Sequence, residues 1–117
     1  MTDKLSNEFA RITLAEIDNG VEDNDCLIRI LCMINSELMI IGGEWFGKVI
    51  NHGATYPFVL SLSGDFIYGT NDEGIIEVEH SSITKRKMVE GEFITVSGVD
   101  DGEPFESVFR ITGIYKY

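Results

Sequence analysis

The side chains of this chain that most readily do chemistry are two histidines and two cysteines, and their spacing assembles no reactive set. His52 lies in an Asn-His-Gly turn, and His80 ends an alternating run. Cys26 and Cys32 fall in an apolar stretch, without the Cys-x-x-Cys spacing of a zinc site or the basic neighbours that activate a thiol. We therefore predict no catalytic residue, no metal site and no cofactor.

Serines and glycines also miss the patterns that enzyme mechanisms require. The segment Ser61–Asp65 lacks the Gly-x-Ser-x-Gly turn of serine hydrolases. The glycines match neither the phosphate-binding loop nor the dinucleotide fingerprint, because those motifs open a long helix and strand patterns flank these glycines. The sequence favours a protein that is not an enzyme.

Carboxylates are the chemical groups that this sequence does concentrate. The chain has 20 Asp and Glu against 9 Lys and Arg, a net charge of -11. Glu77 and Glu79 alternate with apolar residues, so on a strand they share one side, about 6.7 Å apart. Trp45 and Tyr56 are aromatic anchors if exposed and core residues otherwise. The candidate partner-binding residues are Asp65, Asp72, Glu73, Glu77, Glu79, Asp100, Asp101, Trp45 and Tyr56.

The net charge indicates which partners are favoured. A negative field repels phosphate, so it disfavours DNA, RNA and anionic membranes and favours a basic protein. The basic tripeptide Lys85-Arg86-Lys87 is too short for a nucleic-acid footprint and is expected to protect an edge strand.

Two unpaired cysteines, and acids where a signal peptide has an apolar run, indicate a cytoplasmic protein. No apolar run has the length of a membrane helix.

Period-two alternation covers most of the chain and predicts a mainly β (α+β) fold, with residues 1–117 as one domain. A single antiparallel sheet curls into a small barrel or sandwich, because short turns separate the strands. Cys26–Ile34 is apolar on both sides, which is typical of a strand with both faces buried, the outer one beneath a helix. The predicted strands are Cys26–Ile34, Glu37–Ile41, Glu44–Asn51, Phe58–Ser63, Phe66–Tyr68, Ile75–His80, Ile83–Val89, Glu92–Gly98 and Phe105–Tyr115, and Val21–Asp25 is a predicted loop.

The N-terminal segment has two interpretations. Leu5, Phe9 and Ile12 share one helical face, and Gly20 is placed to end a helix, which predicts a helix over residues 3–17. The alternative is a first strand over Arg11–Ile17, which also alternates and ends in the turn signal Asp-Asn-Gly.

In size and acidity, without a shared motif, the chain resembles bacterial immunity proteins and phage-encoded inhibitors of host nucleic-acid machinery. The resemblance implies a non-catalytic monomer or homodimer that binds and inhibits a basic protein, with carboxylates standing in for phosphates. The alternative is a small β-barrel that binds a small ligand, or a subunit that associates with copies of itself. Inward positions such as Ile28, Phe58 and Phe109 distinguish the inhibitor from the ligand-binding barrel. These side chains either fill the interior or line a void on the order of several hundred Å³.

Overall fold

The computed structural model describes residues 7–70 and 72–117, and its strands form one closed antiparallel barrel. Each strand pairs with its neighbour in sequence, and the last strand pairs with the first. The strands are β1 Glu8–Asp18, β2 Val21–Ile34, β3 Ile40–Asn51, β4 Ala54–Leu60, β5 Asp65–Thr70, β6 Ile76–Ser81, β7 Phe93–Asp100 and β8 Glu103–Lys116. The prediction of a mainly β fold is confirmed, and of its two architectures the barrel is the correct one.

The first element is a strand, so the helix predicted over residues 3–17 is wrong for residues 7–17; residues 3–6 lie outside the described residues. β1 pairs along both edges, with β2 and with β8, and these ladders satisfy its backbone groups at the same time as they bury its apolar side chains. Its hairpin turn places Asn19 and Gly20 at φ values of 52° and 79°, which the Asn-Gly pair tolerates. No helix long and apolar enough to cross a membrane occurs in residues 7–70 and 72–117.

Three further predicted segments have other bounds, because long hairpins extend past the local turn signals. The predicted loop Val21–Asp25 is the first part of β2, where Val21 and Glu22 pair with the end of β1. Of the strand predicted at Glu37–Ile41, only residues 40–41 are in a strand, and they join the strand predicted at Glu44–Asn51 as β3, which runs through Gly42 and Gly43. The strand predicted at Phe58–Ser63 is β4, which begins at Ala54 and ends at Leu60.

Alternate residues point into the barrel and make its core. On β2, Cys26, Ile28 and Ile30 are buried, whereas Arg29 and Leu31 between and beyond them are exposed. The prediction that Cys26–Ile34 is buried on both sides is therefore wrong, because no helix covers the barrel in its described part, and Leu31 is 47% exposed. The inward core residues of the other strands are Ala10, Ile12, Leu14, Ile40, Phe58, Leu60, Phe66, Ile94, Val96, Phe109 and Ile111.

The connection from β6 to β7 closes one end of the barrel, which we call the closed end. It contains a 3₁₀ turn at Ile83–Lys85, so the strand predicted over Ile83–Val89 is wrong. Ile83 and Met88 are fully buried in the core, and the Met88 amide donates a 2.7 Å hydrogen bond to the Leu38 carbonyl. These two side chains act as a plug, because burying them requires the segment to cross the barrel end.

The opposite end, which we call the mouth, holds the turns after β1, β3, β5 and β7. Next to the hairpin β5–β6, the sheet is paired only near the closed end. Strand β4 meets β5 at Val59–Ile67 and Leu60–Phe66, and β6 meets β7 at His80–Ser97 and Ser81–Val96. Within the described residues, the mouth halves of these strands have no register partners across the two seams. The hairpin therefore splays from the barrel, and the mouth is open.

The inward face of Gly47 offers a direct test of the packing. A Cβ there would lie 2.6 Å from Phe58 Cζ and 2.8 Å from the Arg29 carbonyl oxygen. Overpacking of this kind costs about 1–3 kcal/mol, so we expect Gly47→Ala to lower the free energy of unfolding by that amount, measured by urea titration. Gly113→Ala is the control, since its Cβ meets nothing closer than 4.0 Å. Equal stability of the two variants would contradict the described interior.

Candidate functional site: the mouth of the barrel

A cavity of about 1100 Å³ opens at the mouth. Ile28 and Phe109 line this cavity, whereas Ile30, Phe58 and Leu60 pack in the filled half nearer the closed end. The interior is therefore filled at one end and hollow at the other. Its apolar lining includes Ile28, Val49, Val96, Phe105 and Phe109, and its aromatic rim includes Tyr56, which is 50% exposed.

Two small residues lie on the inner face at the mouth. Gly98 points inward on β7, where a Cβ would lie 3.0 Å from the Phe105 ring and 3.2 Å from Glu79 Cγ, so its missing side chain lets these two groups pack against β7. Ser107 lies on β8, two positions from Phe109 and also inward. Because a large side chain at position 107 would enter the mouth, the hollow depends on the small volume of Ser107.

A phenol and a carboxylate form the central polar contact of the cavity. The Tyr68 hydroxyl donates a 2.6 Å hydrogen bond to Glu79 Oε1, and both residues are partly buried. Burial raises the pKa of Tyr68 above its ordinary range, and the bonded, negatively charged Glu79 raises it further. Tyr68 therefore stays a neutral donor, and it fixes the Glu79 carboxylate inside the barrel.

Cys26 lies beside this pair and keeps its proton. Burial raises the pKa of the Cys26 thiol to about 12, and the carboxylates of Glu16, Asp23 and Glu79 add to the rise. Burial alone raises the pKa of Cys32 to about 12. Both thiols are free, and neither is an activated nucleophile, because the reactive thiolate is disfavoured at each position.

The cavity lining is acidic, and His80 is its one basic side chain among the described residues. Glu16, Glu77, Glu79 and Asp100 line it, and no Lys or Arg does so in the described part of the chain. The neighbouring turns add Asp72 and Asp101, and the start of β8 adds Glu103, all exposed. Lys85, Arg86 and Lys87 are at the closed end instead. The charge of the barrel is thus polarised, with a negative mouth.

The structure divides the nine sequence-predicted site residues between the two ends. Glu77, Glu79, Asp100 and Tyr56 line the cavity. Asp72, Glu73 and Asp101 belong to the turns around it. Asp65 and Trp45 lie toward the closed end. The Asp65 carboxylate lies 2.7 Å from His80 Nδ1, at hydrogen-bond distance. Trp45 is partly buried against the Phe9 ring, and its indole N–H donates a hydrogen bond to the Ile41 carbonyl.

Sequence reasoning missed Glu16, Cys26 and Tyr68 as members of the site. One signal was available: Glu16 continues the inward series Ile12, Leu14 on β1, and an acid on the core side of a strand requires a polar or hydrated surrounding. Tyr68 follows Phe66 in the same way on β5. What alternation does not give is which strands face each other across the interior.

The histidines are both on the surface, paired with acids. His52 Nε2 lies 3.6 Å from Asp23, and His80 Nδ1 lies 2.7 Å from Asp65. Among residues 7–70 and 72–117, no three His, Cys, Asp or Glu side chains come together as a group that could hold a metal ion.

Comparison with known proteins adds no identity: no protein-family model, no curated protein and no solved structure matches this chain.

The protonated thiols give a prediction for alkaline pH. The unfolded chain loses thiol protons from pH 9, whereas the folded protein holds them until about pH 12. The stability from these protonated thiols is therefore complete below pH 9 and lost between pH 9 and about 12. We expect the free energy of unfolding, measured in the presence of a reductant, to fall as the pH rises through this range. In the double variant Cys26→Ala/Cys32→Ala, the free energy of unfolding should fall less steeply with pH than in the native protein.

The same shift predicts slow thiol labelling of the native protein. A rise from 9.0 to about 12 lowers the thiolate population near pH 8 by roughly a thousandfold. Maleimide should label the two cysteines rapidly only after denaturation. Rapid labelling of the folded protein would contradict the burial of both thiols.

Proposed function

We propose that this protein is a non-catalytic binding protein that holds a small, largely apolar ligand in the mouth of its barrel. The observation that carries this proposal is the cavity of about 1100 Å³. Ligand sites are concave and combine apolar walls with placed polar groups, and pockets for drug-sized ligands measure roughly 300–1,000 Å³. The apolar part of this lining and the Tyr68–Glu79 pair fit that description, and the four carboxylates make the lining more acidic than that of most such pockets.

The charge of the lining restricts the chemistry of the ligand. Four carboxylates line the cavity in the described residues, and the phenol of Tyr68 already donates to one of them. An anionic ligand would be repelled in this partly desolvated space, whereas an amine would pair with a carboxylate. The favoured ligand is an apolar molecule with a cationic or hydrogen-bond-donating group.

A second function, binding to a basic protein, is favoured by the composition of the rim. Exposed apolar residues lie among the acids of the mouth: Ile75, Ile76 and Val99 are each more than half exposed. An apolar patch rimmed by charge is the usual composition of a protein interface. Under this proposal the acids steer a basic partner to the mouth, and the sequence-predicted inhibitor function is exerted there.

A pair of adjacent β8 residues tests ligand binding, because one points into the cavity and the other points outward. We expect Ser107→Phe to fill the mouth and lower the affinity for the neutral fluorescent probe N-phenyl-1-naphthylamine by about tenfold or more, since the added ring occupies the ligand volume. Val108→Phe, on the outer face, should bind the probe as the native protein does. Fluorescence titration measures both.

Competition with the same probe tests which charge the ligand carries. The cation dodecylamine should displace the probe at lower concentration than the anion dodecanoate. Glu79→Gln, which keeps an acceptor for the Tyr68 hydroxyl, should bring the two displacing concentrations closer together. No probe binding by the native protein would contradict a ligand cavity, and preference for dodecanoate would contradict the assigned charge.

Paired neutralisations test the rim as a protein-binding surface. Asp72→Asn/Asp101→Asn removes two acids at the mouth, and Glu44→Gln/Glu90→Gln removes two exposed acids elsewhere. With lysozyme as a basic probe at low salt, we expect the mouth variant to slow association by about threefold and the control variant to change it less, since steering depends on local field. Equal effects would mean that only net charge matters.

A further inference from the structure

The outer surface of β1–β4 carries a feature that neither ligand binding nor the acidic mouth explains. Arg11, Arg29 and Lys48 all point outward there, because their neighbours along each strand point into the barrel. All three are exposed, and none makes an ion pair with any residue in 7–70 or 72–117. In a chain with 20 acids and 9 bases, three unpaired bases on one surface are unexpected.

The register places two of these bases against each other. Arg29 lies directly opposite Lys48 across the β2–β3 ladder. Like charges in this position destabilise a sheet, so the arrangement opposes folding on its own. The free-energy cost of this repulsion is small at an exposed site. An acid on a neighbouring strand would have removed the cost by pairing with one of the two bases.

No acid is adjacent on this surface within the described residues. Across the ladders, Arg29 faces Thr13, Lys48 faces Pro57, and Arg11 faces Leu31 and Tyr115. Arg11 also lies 5.3 Å over the Tyr115 ring, which holds its guanidinium along the surface. The outward residues next to these bases are apolar or uncharged, and the acid of β3, Glu44, lies two positions from Phe46 and four from Lys48.

Large apolar side chains are interleaved with the bases. Leu31 is 47% exposed, and Phe46, directly opposite it, is 67% exposed. Together with Tyr117 and Pro57 they border a shallow cleft of about 400 Å³ that also contacts Arg11, Arg29 and Lys48. We call this surface the outer basic face: Arg11, Arg29, Lys48, Leu31, Phe46, Pro57 and Tyr117.

We propose that the outer basic face is a docking site for an acidic segment of another protein, in which carboxylates and apolar side chains alternate. Charge complementarity selects the carboxylates, because an acidic chain would neutralise the Arg29–Lys48 pair and reach Arg11. The exposed Leu31 and Phe46 select the apolar side chains, which they would remove from water.

Nucleic acid fits this surface less well. Three bases neutralise few phosphates, and the net charge of -11 repels a polyanion over longer distances. A short acidic peptide has a lower charge density and supplies the apolar groups that Leu31 and Phe46 require. Of the described residues, the outer basic face shares Pro57 alone with the lining of the mouth cavity, and Arg29 and Lys48, which the test changes, lie outside that lining.

The test uses a ten-residue peptide of alternating Glu and Leu, labelled with a neutral dye, and measures its binding by fluorescence anisotropy in dilute salt. We expect the native protein to bind it, and Arg29→Gln/Lys48→Gln to weaken binding by about tenfold through the loss of two ion pairs. The matched control is Lys85→Gln/Lys87→Gln, which changes the net charge equally at the closed end and should weaken binding by less than about twofold.

Stability and two further probes complete the experiment. Because the two bases repel each other, Arg29→Gln/Lys48→Gln should unfold at the same or a higher urea concentration than the native protein. A peptide with Gln in place of Glu should bind more weakly than the acidic peptide. A ten-residue oligothymidylate should bind no more tightly than the acidic peptide. Absence of peptide binding, equal losses in the two double variants, or tighter oligothymidylate binding would overturn the proposal.

Discussion

Closure of the sheet between β1 and β8 is the constraint on which the rest of the structure depends. The two strands pair from Ala10–Lys116 to Glu16–Phe109, and β1 is at the same time paired with β2 along its other edge. In the described residues, closure leaves free edges only along the mouth halves of the two seams beside β5–β6, and it directs alternate residues of all eight strands to one interior. The core, the cavity and the outward position of the outer basic face all follow from that separation of inside and outside.

The plug at one end makes the two ends of this interior different. Ile83 and Met88 fill the closed end, and the Phe58–Phe66 stack, with centroids 4.2 Å apart, continues the packing from it. Toward the mouth the inner side chains become smaller, at Gly98 and Ser107, and the hairpin β5–β6 leaves its neighbours. Packing is thereby concentrated at the closed end, and the cavity lies at the mouth.

Charge follows the same division. Carboxylates held near apolar walls, such as Glu79 with its Tyr68 donor, cost free energy of burial that a hydrogen bond only partly offsets. Their presence in a hollow end is consistent with a role in binding a cation or donor. The outer basic face has the reverse composition, so the described residues form two surfaces of opposite charge, the acidic mouth and the outer face with Arg11, Arg29 and Lys48.

The sequence by itself determined the strand-rich fold and the acidic excess, because period-two alternation and composition are local properties. It predicted a helix before Gly20 and a strand at Ile83–Val89, since local pattern does not include ladder pairing or a barrel end that must be covered. It also identified Glu77 and Glu79 as one side of a strand. Only the tertiary structure decided that this side is the inside, beside Tyr68, Cys26 and Glu16, because barrel closure alone brings β1, β2, β5 and β6 around one cavity.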